Sequence, residues 1–214
     1  MKPLTRYNRV AGYLNKLFDL LNARYFENTL TRPTITIQST PRVYGHFTPR
    51  EDTWISANGC SHEINLGAGT LARPIEDVCA TLLHEMIHLY CYVHGIKDTS
   101  RGGTYHNKRF KQAAEEHGLI VEHHPKYGWT LTSPSDDLLD FILENGLTDI
   151  LMTRNEFYGI PVSGTGTHGP GCEDFQPKKS STRKYCCPCC GNSVRATKSV
   201  HIACLDCQRE MLPA

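Results

Sequence analysis

The sequence predicts an α+β fold with a small metal-stabilised module at its carboxyl end. Three observations indicate this fold: an apolar period of three to four residues in several segments, short β-branched stretches before residue 67, and cysteine pairs from residue 186 onward. The chain has 214 residues, of which 39% are hydrophobic and 21% charged, enough for one ordinary core and a small appendage. One main domain is therefore expected.

The first half of the chain predicts a helix, a small sheet and a second helix. Apolar residues from Val10 to Tyr25 recur at helical spacing, which is typical of an amphipathic helix. After Pro33, short strand candidates separated by turn residues predict a small antiparallel sheet; they are "TITIQS", "RVYGHF", "TWISA" and "HEINL". Pro74 favours a helix start and Gly95 a helix end, so a long helix is expected between them, to about His94.

The second half predicts two more helices and a strand pair, followed by a break in composition. The helices are "HNKRFKQAAEEHG" and "SDDLLDFILENG", and the strands between them are "LIVEHH" and "GWTLT". From Gly159 to Lys184 the chain is rich in Gly, Pro, Ser and Thr and has no apolar period, as linkers do. The expected organisation is a main domain at 1–158, a linker at 159–184 and a terminal module at 185–214.

Charge and hydropathy restrict the partners and the location. The amino-terminal segment has scattered charges and no apolar signal-peptide core, so a cytoplasmic protein without membrane contact is expected. The net charge is +1, but residues from Lys178 onward carry seven Lys and Arg against two Asp and Glu, a net of +5. The preceding residues, with 16 basic and 20 acidic side chains, carry −4. A basic tail on an acidic body favours a polyanionic partner such as DNA.

The stretch "TLLHEMIHLY" places His84 and His88 on one side of a predicted helix, one turn apart. Two imidazoles at this separation can bind one zinc ion at about 2.0–2.1 Å each. Glu85 lies about 100° around the helix, outside the ligand set but near a water that it could deprotonate. The alternative is a chance pair of core histidines beside a buried glutamate. The helical context and the cost of an unpaired buried carboxylate favour the metal site.

A hydrolytic zinc site needs a third protein ligand and an open fourth position. His94 follows His88 by six residues, but it faces roughly 240° away if the helix continues to Gly95. His106 is the better candidate, because it opens the next helix after a Gly-rich loop that can return across the first. His94 remains the alternative. Cys91 is expected to pack beneath the site rather than to bind the metal.

Ten cysteines are many for an intracellular chain, and six of them cluster near the carboxyl end, which favours metal over disulfides. The other four are expected to be buried thiols: Cys60, Cys79, Cys91 and Cys172.

The clustered cysteines predict a structural zinc site. The pairs Cys187-x-x-Cys190 and Cys204-x-x-Cys207 can close a tetrahedral S₄ site, which leaves no position for water. Cys186 with Cys189 offers another register, but "CPCCG" favours the first because a glycine there lets the chain turn under the metal.

These motifs together resemble the SprT-like family, which includes Spartan, a eukaryotic DNA-dependent metalloprotease. The resemblance is carried by "ATLLHEMIHLYCYVHGIKDTSRGGTYHNKRFKQAAEEHGL", by upstream "GHF" and "EINL", and by the cysteine pairs, and it runs from about Leu14 to Met211. It implies a zincin-like, gluzincin-type metalloprotease domain followed by a zinc ribbon. The family's zinc ligands fall on His84, His88 and His106, and its catalytic base on Glu85.

In the family, the third histidine ligand belongs to a motif H-x-x-x-F, which Phe110 completes in this chain. Asn107 and Lys108 stand where Spartan-like members usually have glycine and proline, and the pattern is closer to that of bacterial and phage members.

Two functions follow as hypotheses. The first is a zinc endopeptidase with Glu85 as general base, acting on a protein or peptide substrate. The expected substrates are DNA-associated proteins, and the basic ribbon is expected to contact DNA. The protein would hold two zinc ions, one catalytic and one structural. "HEINL" would offer an open strand edge to the substrate, while the oxyanion-stabilising side chain is left open among Tyr105, Tyr127 and Trp129. The alternative is a DNA-associated regulatory or binding protein with a non-catalytic zinc site.

Overall fold

The computed structural model describes residues 3–40, 43–155, 183–196 and 199–213. The chain divides into two compact units, Met1–Glu173 and Asp174–Ala214. The predicted linker falls almost entirely on residues 156–182, outside the described residues, so the boundaries at 158 and 184 stay predictions. The mixed α+β class is confirmed.

The first unit combines helices with short strands. Its α-helices are α1 (Tyr7–Tyr25), α2 (Ile75–Val93), α3 (Lys108–Glu116) and α4 (Asp136–Glu144), and a 3₁₀ helix spans Ala68–Thr70. Its strands are β1 (Thr34–Gln38), β2 (Gly45–Thr48), β3 (Trp54–Ser56), β4 (Gly59–Ser61), β5 (Glu63–Gly67), β6 (Thr99–Ser100), β7 (Tyr105–His106), β8 (Leu119–His124) and β9 (Gly128–Pro134). Among the described residues, no helix has the length and apolar character needed to cross a bilayer.

Helix α2 is the central element of the first unit. Its apolar residues occupy more than one face, and Leu82, Leu83, Met86, Ile87 and Leu89 are fully buried, as expected of a helix enclosed by other elements. The helix ends as predicted: the chain turns at a glycine with φ +65, and the following amide, that of Ile96, donates to the Cys91 carbonyl at 2.8 Å.

The first sheet has the order β1-β5-β2, and it corrects two expectations. It is mixed rather than antiparallel, because β1 and β5 run parallel while β2 and β5 run antiparallel. The 39–62 segment between β1 and β5 is long enough to make the crossover that a parallel pair needs. "HEINL", of which all but the first residue lie in β5, is in the middle of the sheet and offers no open edge. The edge beside α2 is β2.

The second sheet has the order β6-β7-β9-β8, in which β8 and β9 form a hairpin. A third correction concerns His106. It does not open α3 but lies on β7, paired in parallel with Gly128 on β9. Helix α3 begins two residues later, where the Asn107 side chain accepts hydrogen bonds from the Arg109 and Phe110 amides at 2.7 and 3.3 Å.

The free thiols follow the prediction in part. Cys79 and Cys91 are fully buried, and Cys91 is not among the possible metal ligands. Cys60 is exposed on the β3–β4 hairpin, because that hairpin lies outside the three-stranded sheet and has little apolar cover. Cys172 lies outside the described residues.

The second unit consists of short strands around a very small core. The strands are β10 (Arg183–Cys186), β11 (Ser193–Ala196), β12 (Ala203–Cys204), β13 (Arg209–Glu210) and β14 (Leu212–Pro213). The core is formed by Tyr185, Cys187, Cys204 and Met211. Two of these four residues are cysteines, so the buried apolar core of this unit is very small.

Candidate metal centres

Three histidines from two elements converge in the first unit. His84 and His88 lie one turn apart on α2, and His106 reaches them from β7. One nitrogen from each ring lies within 4.8 Å of the others. The ring centroids are 5.0 Å apart for His84 and His88, 5.2 Å for His84 and His106, and 4.9 Å for His88 and His106. The structure therefore brings together all three residues that the sequence nominated.

The hydrogen bonds of the three imidazoles show which ring nitrogens face the space between them. Thr132 Oγ1 lies 3.1 Å from His84 Nδ1, and Asp98 Oδ2 lies 2.5 Å from His88 Nδ1. Because a carboxylate only accepts, His88 donates from Nδ1, and its Nε2 is the nitrogen available to a metal. His88 Nε2 lies 3.0 Å from His106 Nε2.

The site fits a transition metal such as zinc. His84 Nε2 is buried and has no hydrogen-bond partner among the described residues, a costly state for a polar atom unless a ligand occupies the space. The 3.0 Å between the other two Nε2 atoms is close to the roughly 3.3 Å expected between two nitrogens of one tetrahedral zinc. Burial, His88 and His106 lower the pKa of His84, and burial and His88 lower that of His106 to about 3 against the opposing effect of Asp98. Both rings are thus in the neutral form that binds metal.

Phe110 is the apolar floor of this site. The ring is fully buried, and its centroid lies 4.7 Å from that of His84, 4.8 Å from that of His88 and 4.6 Å from that of His106. It contacts all three imidazoles at once, which restricts their rotation and keeps water from their inner faces. The H-x-x-x-F spacing places this ring because it lies on the first turn of α3, four residues after His106.

Two glycines permit the close approaches that the site requires. A Cβ on Gly128, whose φ is +75, would lie 2.1 Å from the His106 carbonyl oxygen. A Cβ on Gly45 would lie 2.9 Å from the Asn65 carbonyl oxygen and 3.2 Å from Glu85 Oε1. Any side chain at Gly128 would push β7 away from β9, and one at Gly45 would crowd the carboxylate.

Glu85 lies beside the three histidines but is not one of the residues grouped as possible metal ligands. Only 3% of its surface is exposed, and the Phe47 amide of β2 donates a hydrogen bond to its carboxylate. Burial raises the pKa of Glu85 to about 7, against the opposing effects of His88 and the Phe47 amide. A carboxyl group with a pKa near neutrality can both accept and return a proton.

Glu85, His88 and His106 border one open cleft of about 700 Å³. Of the three aromatic residues nominated for an oxyanion role, Tyr127 borders this cleft, whereas Tyr105 and Trp129 do not. His94, the alternative third ligand, is exposed at the end of α2 with its ring 4.3 Å from Tyr90, away from the grouped histidines.

The four ribbon cysteines form a second group. Cys187, Cys190, Cys204 and Cys207 have their sulfur atoms within 4.8 Å of one another, with Cys190 and Cys204 at 3.6 Å. Hydrogen bonds from the Cys190 and Cys189 amides lower the pKa of Cys187 to about 7, which favours the thiolate that binds metal.

The backbone supports this register of the two pairs. The chain turns at Gly191, with φ +74, and its amide donates to the Cys187 carbonyl at 3.0 Å. Cys186 and Cys189, the other register, are not part of the group.

With both groups in place, the comparison with known families is decisive. The SprT-like family model matches residues 14–126, more than half of the chain. The chain belongs to the SprT-like family. The match covers α1 from Leu14 onward, the first sheet, α2 and His106, and the cysteine group supports the carboxyl-terminal ribbon. A comparison with curated proteins finds no match. Membership of the SprT-like family points to a metalloprotease-like function, and the histidine and cysteine groups are possible zinc sites.

Sequence reasoning missed Asp98 and Thr132, the partners of the outward ring nitrogens. Asp98 lies in the loop after α2, and its backbone carbonyl accepts a hydrogen bond from the Asn107 amide at 2.9 Å. Asp98 therefore contacts both His88 and the residue next to His106. A carboxylate in a polar loop has no periodicity to mark it. The available signal was chemical: a metal-binding histidine usually donates its second nitrogen to a carboxylate or carbonyl.

We expect Asp98→Ala to lower zinc affinity at the histidine group by about 10- to 100-fold, because His88 loses the partner that fixes its ring. Competition with a chelating dye measures the affinity, and cobalt substitution separates the histidine site from the thiolate site by its spectrum. Asp52→Ala is the matched control, because Asp52 pairs with Arg50 on the surface. Wild-type affinity in Asp98→Ala would show that the hydrogen bond contributes nothing.

Proposed function

We propose that this protein is a zinc-dependent endopeptidase of zincin type. The observation that carries the proposal is the convergence of three imidazoles on one space beside a buried carboxyl group, at the wall of an open cleft. Three histidine ligands with a free position for water are the ligand set of hydrolytic zinc sites. The family match supports the same conclusion.

His84, His88 and His106 would hold the zinc ion through their Nε2 atoms. When bound, zinc supplies a Lewis acid that polarises a peptide carbonyl and makes water more acidic. Glu85 accepts the proton of the attacking water on its carboxylate, and it later donates that proton to the departing amine nitrogen. The Phe47 amide holds the carboxylate in place during both transfers.

Strand β2 offers the edge along which an extended substrate can pair. The Gly67 amide donates to the Tyr44 carbonyl at 2.7 Å, and bonding alternates along an antiparallel pair. The backbone groups of Gly45 and the Phe47 carbonyl therefore point away from β5 and toward the open edge, whereas the Phe47 amide is already bonded to Glu85. Both residues border the cleft, so a peptide paired with this edge would pass directly by Glu85.

Removal of the metal tests the proposal. Treatment with a strong chelator should reduce hydrolysis of casein to the background rate, and added zinc should restore it while magnesium should not, because imidazole ligands favour zinc. Hydrolysis is followed by release of fluorescent peptides. A rate that survives complete metal removal would refute a zinc endopeptidase. A zinc-loaded protein that cuts nothing yet binds DNA would support the alternative, a DNA-associated binding protein.

We further propose that the substrates are DNA-associated proteins. The observation that favours DNA is a surface on which cations lie over aromatic rings: Arg101 over Tyr105 at 4.6 Å, Lys111 over Trp129 at 4.9 Å and Lys126 over Tyr127 at 5.1 Å. Aromatic faces stack on bases while cations contact phosphates. Of the basic tail, Lys184 is exposed, whereas Lys178, Lys179 and Lys198 lie outside the described residues.

We expect deletion of residues 178–214 to weaken binding of a single-stranded oligonucleotide and to flatten its salt dependence, because seven cationic side chains are lost. Trp129→Ala should remove about 1–3 kcal/mol of the binding that remains. Fluorescence anisotropy at several salt concentrations measures both effects, with Tyr7→Ala as the control for loss of an exposed ring. An unchanged salt slope after the deletion would rule out the tail as a DNA contact.

A further inference from the structure

The cleft continues along α2 beyond the histidines. Tyr92 lies one turn after His88 on the same side of the helix, and Ile96 follows just after the helix ends. All three border the cleft, so its wall changes from imidazole to apolar beyond His88. Tyr92 is 41% exposed, which is unusual for a large ring unless something covers it.

Three rings hold each other in place at this end of the cleft. The Phe47 centroid lies 6.0 Å from that of Tyr92 and 5.5 Å from that of His62, and the last two are 5.1 Å apart. Mutual contact of this kind fixes ring orientation, so the apolar surface is formed before any ligand arrives. Phe47 also donates its amide to Glu85, and the apolar surface thus begins at the residue that positions the carboxylate.

The charges around the cleft favour a neutral occupant. No lysine or arginine among the described residues borders it, so nothing there would pair with an acidic side chain. Its carboxylates are already engaged, Asp98 by His88 and Glu85 by the Phe47 amide. Gly102 and Gly103 border the same cleft and contribute no side chains, which leaves room for a large group.

We propose that Phe47, Tyr92 and Ile96 form a specificity subsite that receives a large apolar side chain of the substrate, next to the peptide bond that is cut. The inference rests on the proposed endopeptidase function and extends it to a substrate class. Large apolar side chains are mostly buried in folded proteins. The substrates are therefore proteins with an unfolded or extended apolar segment, which can also pair with the edge of β2.

Binding to the zinc-loaded Glu85→Gln protein tests the subsite without turnover. A fluorescent, extended peptide is prepared with Leu, Phe, Lys, Asp or Gly at one central position. The Leu and Phe peptides should bind about tenfold more tightly than the Gly and Asp peptides, the discrimination that apolar pockets typically give. Adding Tyr92→Ala should remove the preference, and Tyr92→Phe should retain it, because the ring rather than the hydroxyl forms the surface. Tyr7→Ala on α1 is the matched control, an exposed tyrosine that does not border the cleft.

Equal binding of the Leu and Gly peptides, absence of binding by every peptide, or an unchanged preference in Tyr92→Ala would each overturn the subsite. Turnover by the wild-type protein is measured separately with the same peptides. Cleavage without apolar preference refutes the subsite and leaves the endopeptidase function intact. Apolar preference in binding with no cleavage by the wild type refutes the endopeptidase function and leaves the subsite intact.

Discussion

Glu85→Gln should reduce peptide hydrolysis by on the order of 10²–10⁴-fold, the usual contribution of a positioned general base. Glutamine has the size of glutamate, and its amide oxygen can still accept the hydrogen bond from the Phe47 amide. It cannot take a proton from water. The loss should therefore appear in turnover, while peptide affinity stays close to that of the wild type.

The same substitution should leave the fold and the metal content unchanged. Glu85 is almost fully buried, and burial of its charged form is unfavourable, so a neutral amide should keep or raise the unfolding temperature. Metal analysis and thermal unfolding measure these two properties. Glu144→Gln is the matched control, since Glu144 is exposed at the end of α4. If Glu85→Gln retained even a tenth of the wild-type rate, Glu85 would not be the base.

The sequence predicted the helices better than the sheets. The four helices carry apolar residues at a helical period, and their ends carry local signals such as the Ser135 side chain, which accepts the Leu138 amide at 3.3 Å. A strand has an alternating sequence pattern, but that pattern does not specify which strand it pairs with. The central place of β5 and its parallel pairing with β1 depend on how the 39–62 segment crosses the sheet, which is a long-range property.

The candidate site also has a part that local sequence predicts and a part that depends on long-range pairing. Two histidines four apart on a helix are adjacent whatever the rest of the chain does. His106 had to be nominated by elimination and by family resemblance, because its approach depends on β7 pairing with β9 across Gly128. Asp98, Thr132 and the Phe47 amide come from a loop and from two different sheets. Nothing in their local sequence distinguishes these hydrogen-bond partners from other polar groups.

Cys204→Ser with Cys207→Ser should unfold the second unit while the first stays folded. The unit spans Asp174–Ala214, near the roughly 40 residues below which small domains need metals or disulfides. Its buried core holds four residues, two of them metal-binding candidates, and its strands are two to four residues long. An S₄ zinc site contributes about 10–16 kcal/mol of apparent binding energy at neutral pH, far more than any contact among the described residues of this unit.

Metal counting and proteolysis give separate readouts of this prediction. We expect two zinc ions in the wild type and one in the double cysteine variant, with rapid tryptic cleavage at Lys184 and Arg209. His84→Ala with His88→Ala should also leave one zinc ion, but with the ribbon protected. The matched control is Cys186→Ser with Cys189→Ser, which removes two thiols of the same segment from outside the group. If that control lost the ribbon zinc while Cys187→Ser kept it, the other register would be the correct one, and the pairing of Cys187 with Cys190 would be wrong.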